Sequence, residues 1–140
     1  MSGTTVAAPV VLRVGDETIW GRAEYVHAFP AVPGVFHVGT AGHGGFMVTA
    51  EAARRMPRGL WTVGWPVLGG AWYAYEEDCA WCAVVLAFPA VLEERSAEDA
   101  AFTTKAARAT LDHCYPRHAN GQQGCGVTQE VGARFHRCVR

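Results

Sequence analysis

The clearest helical pattern of apolar residues in this chain follows an aromatic run and a group of acids. Four apolar residues recur at spacings of four, three and four, which places them on one face of a helix: Trp81, Val85, Phe88 and Leu92. Three consecutive carboxylates precede them, where the positive end of a helix dipole favours negative charge: Glu76, Glu77 and Asp78. Pro89 cannot donate a backbone hydrogen bond and crowds the preceding turn. The pattern therefore predicts a core helix that begins at Glu77 and ends or kinks at Phe88.

The first half of the chain alternates short apolar runs with turn residues, which is typical of strands. We expect strands at 10–14, 18–26, 35–38 and 46–48, with 15–17 as the turn of an N-terminal hairpin. A two-proline connector occupies 28–34, and the four glycines of 39–45 predict an open loop. The aromatic run at 72–75 has the composition of a further strand.

Capping residues predict two more helices. Thr49 is placed to cap a short helix over 50–56, which Pro57 ends. Ser96, followed by acids, is placed to cap a helix through about His113. We expect this second helix to bury a narrow stripe: Phe102, Ala106 and Ala109. Glycines and Pro66 interrupt 58–71, where we expect an irregular loop with short extended pieces.

These elements predict a single α+β domain, in which two to three helices pack on a small antiparallel sheet. The 140 residues suffice for one core, and half of them are hydrophobic, which excludes global disorder. We expect a flexible leader over 1–9, a domain over 10–140, and a glycine-rich tail from about 117.

The net charge of −1 conceals a division along the chain. Residues 76–99 contain seven acids and one arginine, whereas residues 100–140 carry a net charge of +4. The division offers two faces of opposite sign to partners, and the lack of a basic surface with interleaved aromatics argues against direct nucleic-acid binding. No apolar run approaches the ~18 residues of a membrane span, and no basic leader opens the chain. We expect a cytoplasmic protein with no membrane contact.

Two groups of residues are candidates for chemistry. His43 lies among glycines, where a histidine can project into a cleft as an acid or base; it can equally stabilise a tight turn. Glu76, Glu77 and Asp78 can bind a partner, with Gly44 and Trp72 beside them, or can simply cap the helix. If His43 and an acid meet, a small catalytic pair with Glu76 or Glu77 results.

The five cysteines, an odd number, favour free thiols in a reducing compartment. Cys79 and Cys82 form a C-x-x-C pair, but the acids before it oppose a reactive thiolate, so we interpret them as buried core residues. We expect no cofactor. One remaining hypothesis is a zinc site in the tail. The spacings of its candidate ligands fit no standard zinc finger: Cys114, His118, Cys125, His136 and Cys138.

Two segments together resemble a family of unknown function found in plasmid, phage and other mobile-element proteins of high-GC bacteria. They are the Gly-His-Gly-Gly segment within 40–49 and the Tyr-Glu-Glu-Asp segment within 75–81, followed by Phe88-Pro89. The resemblance covers about residues 35–116. It implies a small accessory protein of a mobile element, directed at host defence, and brings no established chemistry.

Two functional hypotheses follow. The first is a protein that binds and inhibits a host protein or defence complex, of the anti-CRISPR or anti-restriction type, through its charge-divided surface. The second is a small hydrolase or transferase that uses His43 with one acid of 76–78. A homodimer is compatible with both. A pocket in which His43 meets the acids favours the enzyme, and a flat exposed patch favours the binding protein.

Overall fold

The computed structural model describes residues 11–119, which form an antiparallel sheet with helices on one of its faces. The strands are β1 (Glu17–Thr18), β2 (Gly21–Arg22), β3 (Tyr25–Ala28), β4 (Val35–Gly39), β5 (Gly44–Thr49), β6 (Trp65–Val67) and β7 (Trp72–Glu76). The helices are α1 (Ala50–Ala53), α2 (Arg58–Trp61), α3 (Trp81–Ala87), α4 (Ala97–Cys114) and α5 (Pro116–Ala119). Strands β1 and β2 pair with each other, and the other five form a sheet in the order β3-β4-β5-β7-β6. The predicted α+β class is confirmed. The predicted leader and residues 120–140 of the tail lie outside the described residues.

The sheet separates two apolar clusters, because alternate residues of a strand point to opposite faces. On the helix side, Val35, Val48 and Tyr75 pack with α1, α3 and α4. On the other side, Phe36, Met47 and Trp72 pack with residues of the segment that contains β1 and β2. The N-terminal segment therefore covers the sheet face that the helices leave open.

The N-terminal hairpin differs from the predicted one. Within 11–14 the structure has no strand, and the strand predicted over 18–26 is divided among β1, β2 and β3. Thr18 Oγ1 donates to the Gly21 carbonyl at 2.7 Å and accepts from the Trp20 N–H at 3.1 Å. Because Gly21 also has a φ of +118°, the chain reverses where the apolar pattern suggested continuation.

The glycine-rich loop is shorter than predicted, since only residues 40–43 connect β4 to β5. Gly39 pairs with Gly44 and Val38 pairs with Gly45. A Cβ on Gly44 would lie 2.6 Å from the Val38 carbonyl oxygen, and one on Gly45 would collide with the backbone of β7. These glycines therefore allow close strand approach rather than loop mobility.

Segment 50–71 has a shorter first helix than predicted and an additional helix after it. Thr49 caps α1 as expected, accepting from the Ala52 N–H at 3.1 Å, but the helix ends at Ala53 instead of residue 56. In the predicted irregular loop with short extended pieces, the strand β6 is such a piece, whereas the short helix α2 was not predicted. Pro66 fits in β6 because this strand is an edge of the sheet, where one side of the backbone needs no ladder partner.

The predicted core helix exists as α3, but it begins at Trp81 rather than Glu77. It ends at Ala87, and Pro89 opens a short 3-10 helix, as its chemistry requires. Trp81 and Phe88 are partly buried, and the four consecutive residues 82–85 are buried. Because consecutive helical residues point to different sides, the middle of this short helix is enclosed all round rather than along the single predicted face.

Helix α4 begins and ends close to the predicted bounds, with Ser96 Oγ accepting from the Asp99 N–H at 3.1 Å. The predicted buried stripe is wrong, because Phe102 is 71% exposed. The buried residues are Ala107 and Leu111, one helical turn apart on another face. Through this face α4 packs into the core that also contains α3.

Candidate functional site

A cleft of about 380 Å³ opens on the helix side of the sheet, between β3–β5 and the helices α3 and α4. Aromatic rings of Phe29, Phe46 and Trp81 contribute to its walls. Its polar and charged lining residues come from five segments of the chain: Tyr25, His27, His37, Glu77, Glu94, Arg95 and Thr103. The cleft therefore combines apolar surface with convergent polar groups, as small-ligand sites do.

Strand geometry explains why two histidines meet in this cleft. His27 of β3 and His37 of β4 are directly paired across the antiparallel ladder, so their side chains share one face. The His37 ring lies between the rings of Tyr25, at a centroid distance of 5.6 Å, and Phe46, at 5.3 Å. The neighbouring strands thus hold His37 in an aromatic environment.

His37 has a pKa below its ordinary value of 6.5. Burial is the main cause, because a less hydrated imidazolium is disfavoured. The positive charges of His27 and Arg95 lower the pKa further, and the negative charge of Glu77 partly opposes them. The lowered pKa favours the uncharged form of His37 at neutral pH, and this form has a ring nitrogen able to accept a proton or a hydrogen bond.

The charged residues on the helical side of the cleft are paired. His27 Nε2 lies 3.2 Å from Glu94 Oε2. Arg95 Nη1 lies 3.4 Å from Asp99 Oδ2 and donates to Thr103 Oγ1 at 3.2 Å. The first contact joins β3 to the segment between α3 and α4, and the other two join that segment to α4, so one polar contact connects the two sides of the cleft.

The structure brings together three of the residues singled out in the sequence: His43, Gly44 and Glu77. His43 Nδ1 lies 3.7 Å from Glu77 Oε1, and both side chains are about half exposed. The Glu77 N–H donates to the Gly44 carbonyl at 2.9 Å, which fixes the acidic turn beside the hairpin. Since Glu77 also lines the cleft, the histidine–carboxylate pair borders it.

The hairpin that carries His43 is itself well fixed. Thr40 Oγ1 accepts from the His43 N–H at 3.1 Å and donates to the His43 carbonyl at 2.7 Å. The Thr40 N–H donates to the same carbonyl at 2.8 Å. His43 thus occupies a tight turn and also presents its ring to Glu77.

Glu76 has a different place from Glu77 although it is adjacent in the sequence. It is 5% exposed, and its carboxylate accepts three backbone N–H groups. Asp78 donates at 2.6 Å, and Cys79 and Ala80 each donate at 3.0 Å. Glu76 therefore stabilises the turn before α3 in the manner of a capping residue, which is the structural alternative noted above.

The remaining two predicted binding residues do not join the cleft lining. Trp72 is 6% exposed and packs against Phe36 on the opposite face of the sheet, with ring centroids 5.7 Å apart. Asp78 is exposed in the turn after β7, and its amide is held by Glu76. The placement of Trp72 favours a role in packing.

Within residues 11–119, no group of three or more His, Cys, Asp or Glu side chains is arranged to hold a metal ion. Of the zinc candidates, Cys114 is a partly buried residue at the end of α4. For His118 the structure describes the backbone and not the side chain. Cys125, His136 and Cys138 lie outside the described residues. The zinc hypothesis stays a prediction.

Sequence reasoning missed the residues at the centre of the cleft. His37 stands between Phe36 and Val38, so alternation placed it on the face opposite to those two side chains. On β3, Tyr25 and His27 are two residues apart, so their side chains also share one face of the sheet. That signal was visible, but the convergence with Glu94 and Arg95 depends on how α4 packs, which local patterns do not report.

The fold and the cleft define a small α+β protein with a ligand-sized cleft of mixed charge. The chain belongs to a family described as a domain of unknown function (DUF7007), whose model matches residues 13–137. No curated protein and no solved structure matches it. Among the residues described, no helix is both long and apolar enough to cross a membrane.

Proposed function

We propose that this protein acts by binding another protein, and that the cleft between the sheet and α3–α4 receives a basic side chain of that partner, preferably an arginine. The observation that carries the proposal is the convergence of aromatic rings and two carboxylates, Glu77 and Glu94, on one cleft. The proposal rests on this cleft, and not on the flat exposed patch named above as the mark of a binding protein.

The chemistry of the lining matches a guanidinium group. A planar guanidinium stacks on aromatic faces, and Phe29, Phe46 and Trp81 supply such faces. It also forms paired hydrogen bonds with carboxylates, and Glu77 and Glu94 are both more than half exposed in the free protein. The uncharged His37 adds an acceptor without adding positive charge.

The surface around the cleft has the charge that attracts a basic partner. Four exposed acids follow the 3-10 helix or begin α4, next to the cleft: Glu93, Glu94, Glu98 and Asp99. Arg95, which also lines the cleft, is paired with Asp99. An acidic surface of this kind accelerates association with a positively charged segment and makes the rate sensitive to salt.

The partner that we propose is a protein of the cell in which a mobile element resides. This part of the proposal is supported by the resemblance to mobile-element proteins and by the small size of the domain. Inhibition of a defence complex, of the anti-CRISPR or anti-restriction type, is the outcome we propose for such binding.

A titration of ¹⁵N-labelled protein with short peptides tests the cleft. One peptide contains a single arginine among glycine and serine residues. In the matched control peptide citrulline replaces the arginine, which keeps the shape of the side chain and removes its charge. We expect the arginine peptide to shift the signals of the Trp81 indole and the His37 amide, with an affinity at least tenfold higher than that of the citrulline peptide. The double variant Glu77→Gln/Glu94→Gln should lose this preference.

Glu51→Gln is the matched control, because Glu51 is an exposed acid on α1 that does not line the cleft. It should bind as the unmodified protein does. Equal shifts with both peptides, or shifts confined to residues away from the cleft, would contradict the proposal.

A second candidate function is acid–base catalysis in the same cleft, as a hydrolase or transferase. Two observations favour it: His37 is uncharged at neutral pH, and His43 meets Glu77 at the border of the cleft. In this function His37 would act as the general base, and the Glu77 carboxylate would orient His43.

A panel of ester, amide and phosphodiester substrates tests the catalytic candidate. Turnover should fall by at least 100-fold in His37→Gln or in His43→Gln, since a positioned base contributes about 10²–10⁴. His113→Gln, an exposed histidine in the last turn of α4, is the control. No turnover above the buffer rate with any substrate class leaves binding as the function.

A further inference from the structure

Two cysteines from distant parts of the chain meet at the junction of α3 and α4. Cys79 lies in the turn before α3, and Cys114 is the last residue of α4. Their Sγ atoms are 2.7 Å apart, although 35 residues separate them in the sequence. A disulfide bond is about 2.05 Å long, so only a small movement separates this contact from a covalent link.

The backbone around each cysteine is fixed by other contacts. The Cys79 N–H donates to the buried Glu76 carboxylate at 3.0 Å. On the other helix, the Tyr115 N–H donates to the Leu111 carbonyl at 2.8 Å, and both of these side chains are buried in the core that also contains Cys79. The packed structure of both segments therefore holds the two thiols next to each other.

The pair is distinct from the C-x-x-C that the sequence displays. Cys82 is fully buried on α3, whereas Cys114 is partly exposed to solvent. A dissolved oxidant can therefore reach Cys114 and not Cys82. Helix packing, not sequence proximity, selects the partner of Cys79.

We propose that Cys79 and Cys114 form a thiol–disulfide site that low-molecular-weight disulfides oxidise and low-molecular-weight thiols reduce. The Cys114 thiolate attacks one sulfur of the small disulfide, forms a mixed disulfide and releases one small thiolate. The Cys79 thiolate then attacks Cys114 Sγ, forms the Cys79–Cys114 bond and releases the second small thiolate. The two released thiolates take up the two protons, and the small disulfide accepts the two electrons.

The link joins the end of α4 to the turn that carries Glu77. Because it closes a loop of 35 residues, it restricts the unfolded chain and stabilises the folded one. We expect the oxidised protein to have a melting temperature about 10 °C above that of the reduced protein. In a reducing compartment the pair remains as two thiols.

Incubation of the folded protein with oxidised or reduced glutathione, followed by alkylation and peptide mass spectrometry, tests the site. Trypsin leaves Cys79 and Cys82 on one peptide, so chymotrypsin, which cuts after Trp81, is added to separate them. We expect a peptide pair linked through Cys79 and Cys114, with the loss of two hydrogen atoms, and its disappearance after treatment with excess dithiol.

Two variants complete the experiment. Cys82→Ser should keep the link and the rise in melting temperature, and Cys114→Ser should lose both. If a variant fails to fold, the disulfide map of the unmodified protein is sufficient to test the proposal. Full alkylation of both Cys79 and Cys114 after oxidation, or a link confined to Cys125 and Cys138, would overturn the proposal.

Discussion

At the scale of single residues, neighbours in the sequence have unrelated roles. Glu76 is buried and holds three amides of the turn before α3, whereas Glu77 is half exposed and lines the cleft beside His43. The strand β7 ends between them, so alternation directs one side chain inward and the next outward. A run of three acids therefore contains one structural residue and two surface residues.

Replacement of Glu76 by glutamine tests this division. Glutamine retains one carbonyl oxygen but presents an NH₂ group where the carboxylate accepts the Asp78 N–H. We expect Glu76→Gln to lower the free energy of unfolding by about 2 kcal/mol, the scale of a hydrogen bond to a buried charged group. Urea denaturation followed by circular dichroism measures it.

Glu77→Gln is the control for Glu76→Gln, since the same chemical change falls on an exposed side chain. Its free energy of unfolding should differ from that of the unmodified protein by less than about 0.5 kcal/mol. Equal losses in the two variants would show that the three amides do not distinguish Glu76 from its neighbour.

At the scale of elements, three helix boundaries followed local chemistry, whereas the predicted buried face of α4 did not form. Thr49, Ser96 and Pro89 begin or end their helices where their chemistry predicts. In α4, however, the large apolar residue Phe102 faces solvent, and Ala107 and Leu111 are buried. Which face of a helix is buried depends on where its neighbours lie, and a count of apolar residues does not reveal that position.

A pair of alanine variants on α4 tests the assignment of its buried face. Leu111→Ala removes a buried side chain from the core and should lower the free energy of unfolding by about 2–4 kcal/mol. Phe102→Ala removes a larger side chain from the exposed face and should change it by less than about 0.5 kcal/mol. Thermal or chemical denaturation of both variants measures the difference, and a larger loss for Phe102→Ala would contradict the packing described.

At the scale of the whole molecule, the cleft lies between two of three layers, the sheet and the helices. The N-terminal segment covers one face of the sheet, which leaves the other face to α1, α3 and α4. The pairing of His27 with Glu94 then joins the edge strand β3 to the segment between the helices. Burial, and after it the positive charges of His27 and Arg95 from separate segments, lower the pKa of His37, so this pKa is a property of the assembled fold.

The pH dependence of stability reports that property. Because the pKa of His37 is lower in the folded protein than its ordinary value of 6.5, the unfolded chain binds a proton first as the pH falls. The stability contributed by the uncharged ring is complete above pH 6.5 and is lost as the pH falls toward the folded pKa. The melting temperature should therefore decrease from pH 7.5 to pH 5.5, and by less in His37→Gln.

The control for this measurement is His113→Gln, which changes an exposed histidine on α4. Its melting temperature should depend on pH as that of the unmodified protein does. An identical pH dependence in His37→Gln and the unmodified protein would show that the cleft does not depress the pKa of His37.

The sequence by itself determined the α+β class, the ends of several helices and the strand over 35–38, because caps, prolines and alternation act over a few residues. Tertiary structure decided the rest. The reversal at Gly21, the edge strand β6, the buried face of α4 and the convergence of His27 and His37 with Glu77, Glu94 and Arg95 depend on which surfaces meet. Local patterns give the direction of each side chain relative to its own element, and only the packing of elements determines what that side chain faces.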